Sequence, residues 1–172
     1  MFKRIQKIFF TKNITKNLKK RTMFGVNDSL TTIGFLVNEE DHINLDIFFD
    51  MSLALGVQQK DTKIFSFLDI KTKTPTLIQN KIFSNHFNWR GEINNNNALD
   101  FLNTQLDVLV SYYDTKNNYL NLMTSKSKAK FKVGFNGVDN RLFDLIINVD
   151  PQKNLDVKSE LLKYFKILNK IN

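Results

Sequence analysis

Short runs of aliphatic and β-branched residues alternate along this chain with segments whose apolar residues recur every three or four positions. Such runs are typical of buried strands, and the wider spacing is typical of amphipathic helices. Strands are predicted at residues 31–37, 63–70, 106–112, 129–135 and 142–149, with a weaker candidate at 77–83. Helices are predicted at residues 43–55, 98–103, 117–124 and 156–168. Because strands alternate with helices, the pattern predicts an α/β fold.

The last two predicted strands lie so close together in sequence that we expect them to form an antiparallel hairpin. Residues 129–135 alternate between apolar and polar side chains, and Asn136-Gly137 supplies a turn signal. The few residues that remain before the next strand are too short for an ordinary crossover. We therefore predict a single α/β domain over residues 23–172, with a mixed, mostly parallel sheet of about five strands between two helical layers, a Rossmann-like three-layer arrangement.

The positive charge of the chain is concentrated at its N-terminus. Residues 1–22 contain eight of the 25 basic residues and none of the 17 acidic ones, so the remaining chain carries 17 of each. The eight are Lys3, Arg4, Lys7, Lys12, Lys16, Lys19, Lys20 and Arg21. The net charge of +8 therefore describes a basic amphipathic N-terminal arm, predicted to be helical, on a neutral domain.

Three interpretations of this arm are open at the level of sequence. Phe2, Ile5 and Phe9 form a stripe on a helix and are expected to dock on the domain, with the lysines in solvent. Alternatively, the bases bind RNA or the ribosome, which makes binding fall steeply with salt. A third interpretation is a helix on an anionic membrane surface. The apolar run in the arm is too short for a secretory signal, so we expect a cytoplasmic protein. If the arm binds a membrane surface, the expected location is at the periphery of the inner membrane.

Four segments in the second half of the chain are distinctive: FNWRGEI at 87–93, LDVLVSYY at 106–113, LNLMTSKSKAKFKVGF at 120–135 and DLII at 144–147. They resemble a family of short uncharacterised proteins from Bacteroidota that is known only as a domain of unknown function. The resemblance covers most of residues 30–170, and the arm matches it only as a basic N-terminal helix. No activity is established for the family, so the resemblance implies no catalytic residues and no cofactor.

Acidic residues follow several predicted strands and suggest a second class of function. They are Glu39, Glu40, Asp41, Asp69 and Asp114. The carboxyl ends of parallel strands meet at one edge of a sheet, and clustered carboxylates there could bind Mg²⁺ in an enzyme, with His42 as a base. Helix capping and solvated turns explain acids at these positions equally well, and we favour that explanation. No metal, cofactor or catalytic residue is therefore assigned.

Two further features could contact a polyanion. Lys126, Lys128, Lys130 and Lys132 recur at every second residue, which would place their ammonium groups on one side of a strand. Lysines on the solvated face of an edge strand would show the same spacing, and this explanation is favoured. Trp89 could stack on a base, although packing against the sheet edge, with Gly91 allowing the chain to turn, is the favoured interpretation.

The sequence favours a non-catalytic binding or accessory module that contacts RNA or the ribosome. The predicted polyanion-binding residues are the eight bases of the arm together with Lys128, Lys130 and Lys132. Membrane attachment and a Mg²⁺-dependent enzyme remain the alternatives, and a protein partner is also left open.

Overall fold

The computed structural model describes residues 2–41, 44–69, 80–113 and 117–172 of the chain. Within these residues, six strands form one sheet in which every neighbouring pair is parallel. The strands are β1 (Ile33–Asn38), β2 (Thr62–Leu68), β3 (Lys81–Phe83), β4 (Val108–Tyr112), β5 (Phe131–Phe135) and β6 (Leu145–Ile147). Their order across the sheet is β3-β2-β1-β4-β5-β6, the doubly wound order in which the winding reverses between β1 and β4.

Helices cover both faces of the sheet. They are α1 (Phe2–Lys20), α2 (Asp46–Ala54), α3 (Asn96–Asn103), α4 (Asn118–Lys126) and α5 (Asn154–Ile167). Residues from α1, α3 and α4 belong to one buried cluster, and residues from α2 and α5 belong to the other. Side chains alternate along each strand between these clusters: Leu36 packs in the first, whereas its neighbours Phe35 and Val37 pack in the second. The prediction of a single α/β domain with three layers is confirmed.

The predicted hairpin near the C-terminus is wrong, because β5 and β6 run parallel. The chain between them makes an unusually short crossover that contains one 3-10 turn, Asn140–Leu142, in place of an α-helix. Gly137, with a φ of 86°, turns the chain out of β5. Leu142 and Phe143 then pack on the same face as α4, so the segment passes over the sheet rather than folding back beside it. The sheet is consequently all parallel, not mixed.

Two other predicted details also change. The weak strand candidate at 77–83 becomes β3 at Lys81–Phe83, while residues 77–79 lie outside the described residues. The sheet therefore has six strands in the described part of the chain rather than about five. The last helix begins at Asn154, so Asp156 lies in its first turn and does not cap it.

Helix α1 packs on the domain, but its main contact lies beside the predicted stripe. Its buried side chains are Phe10 and Ile14, which join the cluster formed with α3 and α4. Ile5 is 41% exposed, Phe9 is only partly buried, and the side chain of Phe2 lies outside the described part. Of the predicted stripe, Phe9 does contact the domain, whereas Ile5 does not become buried; the helix is rotated so that residues 10 and 14, one turn apart, face α4.

Candidate polyanion-binding groove

One flank of α1 carries a row of lysines at Lys12, Lys16 and Lys20. These residues are four positions apart, so they lie above one another along the helix. All three side chains are exposed, because the buried contact with α4 is made by Phe10 and Ile14 on a different side of the helix. Among the residues that the structure describes, no acid lies within salt-bridge distance of these lysines.

A tight turn at residues 88–92 stands beside this row. The Asn88 side-chain oxygen accepts hydrogen bonds from the backbone N–H groups of Arg90 and Glu92, both at 2.9 Å. The flanking residues Phe87 and Ile93 form an antiparallel bridge, which closes the base of the turn. Gly91 has a φ of 81°, a conformation that glycine adopts readily. The sequence NWRGE thus builds an ordered turn that presents Trp89 and Arg90.

The turn is held against α1 by direct contacts. The Asn13 side chain donates a hydrogen bond to the Arg90 carbonyl oxygen. Phe9 meets the Trp89 ring edge to face, with ring centroids 4.9 Å apart and an angle of 86° between the planes. The Arg90 guanidinium carbon lies 4.7 Å from the centroid of the Trp89 ring, within cation–π range. Trp89 therefore packs on α1 rather than on the sheet edge, and it stays 36% exposed.

The space between α1, this turn and the end of α4 forms what we call the basic groove. One cleft of about 390 Å³ is lined by Lys12, Lys16, Lys20, Arg90 and Lys126, and a second of about 400 Å³ is lined by Lys20, Lys126 and Lys128. The two clefts share Asn17, Lys20 and Lys126, so they are continuous. Arg21 also lines the second cleft but is paired with Asp144. We therefore define the basic groove by the other six cationic residues that line it: Lys12, Lys16, Lys20, Arg90, Lys126 and Lys128.

Negative charge within the basic groove is sparse. Glu92 lines the first cleft, and it already accepts a hydrogen bond from the Asn88 side chain. Burial lowers the pKa of Lys126; Glu92 opposes this shift, and the nearby charge of Lys16 adds to it. An anion bound in the groove would relieve the repulsion between the two lysines. The groove is therefore a surface whose charges are incompletely compensated by the protein.

The remaining bases of the arm have different surroundings. Lys3, Arg4, Lys7 and Lys19 are exposed on α1 but do not line the two clefts. Arg21 follows the helix and forms a salt bridge with Asp144, which also accepts a hydrogen bond from the Lys132 backbone N–H. The Arg21 guanidinium also donates a hydrogen bond to the Lys130 carbonyl oxygen at 3.2 Å. Arg21 therefore connects the end of α1 to the sheet.

The predicted lysine ridge does not form. β5 lies between β4 and β6 and is not an edge strand. Lys132 is 1% exposed, and its ammonium group donates to the Thr124 carbonyl oxygen at 2.7 Å. Lys130 pairs with Asp28 and Asp107, at 2.8 Å in each case. Lys128, just before the strand, is exposed and reaches the basic groove. The predicted alternation holds for Phe131, Val133 and Phe135, which share one buried cluster, whereas Ala129 lies in the other. Helix α4 covers the face on which Lys132 lies.

The acidic residues after the strands do not gather into a metal site within the described residues. Glu39 forms a salt bridge with Lys81 at 2.6 Å and accepts a hydrogen bond from Ser66 at 2.8 Å. Asp41 accepts a hydrogen bond from the Asn38 side chain at 2.7 Å. Glu40 and Asp69 are exposed. His42 and Asp114, the other members of the predicted site, lie outside the described residues.

A family model matches residues 6–168 and identifies a family of unknown function, DUF6913. The chain belongs to this family. All six residues of the basic groove lie within the DUF6913 match, which includes most of α1 as well as the sheet. No curated protein and no solved structure matches the chain. None of the helices in the described ranges is long and apolar enough to cross a bilayer.

Two residues of the groove were missing from the predicted binding set. Arg90 and Lys126 are isolated in sequence from the basic arm, and only the packing of α1 on α4 brings all three segments together. A signal for Arg90 did exist, because it lies between a tryptophan and a glycine in a predicted turn. Lys126 belongs to the alternating lysines, but it ends α4 rather than beginning a strand.

Proposed function

We propose that this protein is a non-catalytic binding module whose basic groove binds RNA, either free or exposed on the ribosome. The observation that carries the proposal is the convergence of six cationic side chains from three segments on one groove, where Glu92 is the one acid among the described lining residues. Lysine rows of this kind neutralise phosphates and release counterions, a contribution that does not depend on base sequence. The predominance of lysine over arginine favours backbone contact over base readout.

The groove supports RNA better than a membrane surface. An interfacial helix buries a continuous apolar face in the lipid headgroup region. In α1 the largest apolar contact is already made with the protein through Phe10 and Ile14. Among the α1 side chains that the structure describes, the exposed apolar ones are Ile5 and Ile8, and they lie among exposed bases rather than in a broad apolar face. A concave basic groove also suits a polyanionic chain, whereas a planar lipid surface would contact only its rims.

The geometry gives less support to the Mg²⁺-dependent enzyme. The best-placed carboxylate, Glu39, is engaged by Lys81 and Ser66. The turn after β1 has the sequence Asn-Glu-Glu-Asp, without the glycines that let a backbone approach a pyrophosphate. The carboxylates of this turn would also repel the phosphates of a dinucleotide cofactor.

The test compares two triple variants that lose the same charge at different places. Lys12, Lys16 and Lys20 are changed to Ala in one, and Lys153, Lys158 and Lys166, on or beside α5, are changed to Ala in the other. Binding of a fluorescein-labelled single-stranded RNA of mixed sequence is measured by anisotropy across a series of salt concentrations. Loss of three phosphate contacts reduces the salt slope by about 2 and the affinity at 0.1 M salt by about 100-fold.

The α5 variant serves as the matched control and is expected to keep most of the affinity, because its charges lie on the opposite face of the sheet. Equal losses in the two variants would show that net charge, not the groove, drives binding. No binding by the unchanged protein at low salt would refute the proposed function. Pelleting with anionic vesicles but not with neutral ones, together with no RNA binding, would favour the membrane alternative.

A further inference from the structure

The Trp89–Arg90 pair borders the first cleft of the basic groove, which Arg90 lines. Phe9 and Arg90, which contact the Trp89 ring, also line the first cleft. We propose that the groove takes single-stranded rather than double-stranded RNA, and that one unpaired base stacks against the Trp89–Arg90 pair. This inference rests on the proposed function and adds to it a strand preference and a site for a base.

Trp89 stays partly accessible although Phe9 and Arg90 both contact its ring. Its indole is 36% exposed, although it is the single tryptophan of the chain and large aromatic groups are ordinarily covered. Arg90 is exposed and lies over the indole, and guanidinium groups are themselves platforms for bases. A base that stacks here would be recognised by its π-face, which every base has, so the site tolerates different sequences.

The stacking surface is also preorganised. The two backbone hydrogen bonds to Asn88 fix the shape of the turn, and the Asn13–Arg90 bond fixes its position on α1. A Cβ atom at Gly91 would lie 3.0 Å from side-chain atoms of both Asn13 and Leu122, so the turn sits directly on the helices. A surface that is already ordered loses little conformational entropy when it binds a base.

The row of Lys12, Lys16 and Lys20 beside this surface has the length of a short segment of single-stranded RNA. Lys12 and Lys20 are eight residues apart on a helix, which corresponds to about 12 Å along its axis. Phosphates rise about 3.4 Å per nucleotide along the axis of a stacked strand, so the row matches the axial rise of about three or four nucleotides. In a duplex the faces of internal bases are hidden by their neighbours, and none can reach Trp89. The combination of phosphate row and aromatic surface therefore fits a single strand.

The experiment uses the full chain and the fluorescence of its single tryptophan. A single-stranded RNA of ten nucleotides, the same RNA annealed to its complement, and a ten-unit abasic ribose-phosphate oligomer are titrated separately. The single strand is expected to quench Trp89 fluorescence and to bind at least 10-fold more tightly than the duplex. The abasic oligomer, which has the phosphates without the bases, is expected to bind weakly and to leave the fluorescence unchanged.

Substitution of the aromatic residue gives an independent readout by anisotropy of the labelled RNA. Trp89→Ala is expected to weaken single-strand binding by about 5- to 150-fold, the range measured for loss of one base–aromatic stack. Trp89→Phe keeps an aromatic face and the contact with Phe9, and it is expected to recover most of the affinity. Tyr164→Ala is the matched control, because Lys163 lies over that ring on α5 in a similar cation–π pair.

The outcomes separate this inference from the proposed function. Salt-dependent binding that is equal for single strand, duplex and abasic oligomer, with no effect of Trp89→Ala, would overturn the stacking site and leave the groove intact. Absence of binding to all three would overturn both. If the Trp89→Ala variant does not fold, the stacking site is tested without it. The affinities of Trp89→Phe and Arg90→Ala for the single strand are then compared, and the quenching experiment uses the unchanged protein.

Discussion

Two sets of lysines in this protein have regular spacing in the sequence and opposite roles in the structure. Lys12, Lys16 and Lys20 recur every fourth residue on α1 and stay in solvent without a described acidic partner. Lys130 and Lys132 recur every second residue at β5, and one is paired with two carboxylates while the other is buried. Spacing determines which side of an element a lysine occupies. The element packed against that side determines whether the lysine can meet a ligand.

The electrostatic surroundings of the second set explain the difference. Asp107 is buried and accepts hydrogen bonds from the side chains and backbone N–H groups of Thr31 and Thr32, as well as from Lys130. Burial alone would raise the pKa of this carboxyl, but the bonds from Lys130, Thr31 and Thr32 hold it well below its ordinary value. The hydrogen bonds that Lys130 donates to Asp107 and Asp28 raise the pKa of Lys130. Lys130 is therefore a structural residue whose charge is already compensated by two carboxylates.

The largest expected effect on stability is that of Asp107→Asn. The amide cannot accept all the hydrogen bonds that the carboxylate accepts, and among the described acids it leaves Lys130 paired with Asp28 alone. We expect a loss of about 3 kcal/mol in the free energy of unfolding, the lower end of the range for breaking a buried ion pair, because the Lys130 side chain is 25% exposed. Urea denaturation at pH 7 measures this loss. Asp100→Asn, at an exposed position of α3, is the control, and a comparable loss in that variant would contradict the assignment.

The next largest effect is a dependence on pH. Burial lowers the pKa of Lys132 to about 7; the charge of Arg21 adds to the shift, and Asp144 opposes it. Between pH 7 and the ordinary value near 10.5, the unfolded chain holds a proton at this lysine that the folded chain lacks. Stability is therefore gained as pH rises through this window, by up to about 1.4 kcal/mol per pH unit.

Lys132→Met removes this contribution and tests its sign. Between pH 8 and pH 10, the stability of the variant relative to the unchanged protein is expected to fall by about 2.5 kcal/mol. Lys126 and Lys170, whose pKa values are also lowered by burial, are present in both proteins and cancel in the difference. Chemical denaturation at several pH values measures this difference. A difference that does not change with pH would show that Lys132 stays protonated in the folded protein.

A smaller effect is expected at the turn that borders the basic groove. Gly91→Ala places a side chain at a φ of 81° and within 3.0 Å of Asn13 and Leu122. The strain costs about 1 to 2 kcal/mol and moves the turn away from α1. Thermal unfolding reports the cost, and a change in Trp89 fluorescence reports the displacement. Gly56→Ala has a similar φ of 82° but no atom within 4 Å, so it should lower stability without altering the fluorescence.

The smallest effect on stability is expected for the lysines of the groove. Replacement of Lys12, Lys16 and Lys20 by Ala should change the free energy of unfolding by no more than about 0.5 kcal/mol in either direction, because these side chains make no described contact that the fold needs. Calorimetry at low salt is the appropriate measurement. A large loss of stability would mean that these three lysines hold α1 in place. They would then have a structural role like that of Lys130 and Lys132.

Much of the fold was predictable from the sequence because local patterns determine elements. The apolar strands and the helical spacing at α2, α4 and α5 were all visible, as was the concentration of charge before residue 22. The parallel course of β6 was not visible, because a crossover built on one 3-10 turn at Asn140–Leu142 has the length expected of a hairpin loop. Chain length alone could not distinguish the two connections.

The candidate site was predictable only in part. The lysines of α1 stand together in sequence, whereas Arg90 and Lys126 join them through tertiary packing between distant segments. The burial of Lys132 was equally hidden, because the alternation along β5 gives two faces and does not say that α4 covers the second. Trp89 was recognised as a candidate, but its contact with Phe9 depends on how α1 is rotated on the domain.

The shortness of the two outer strands has a consequence for how this protein behaves when it is concentrated. β3 and β6 have three residues each, and they are the strands with a neighbour on one side in the described sheet. An unpaired strand edge can recruit an extended segment from another molecule, and a long flat edge is the usual starting point for aggregation. Three-residue edges, one of them beginning with the charged Lys81, offer few backbone groups to such a segment. The sheet is thus protected against growth by addition of further strands.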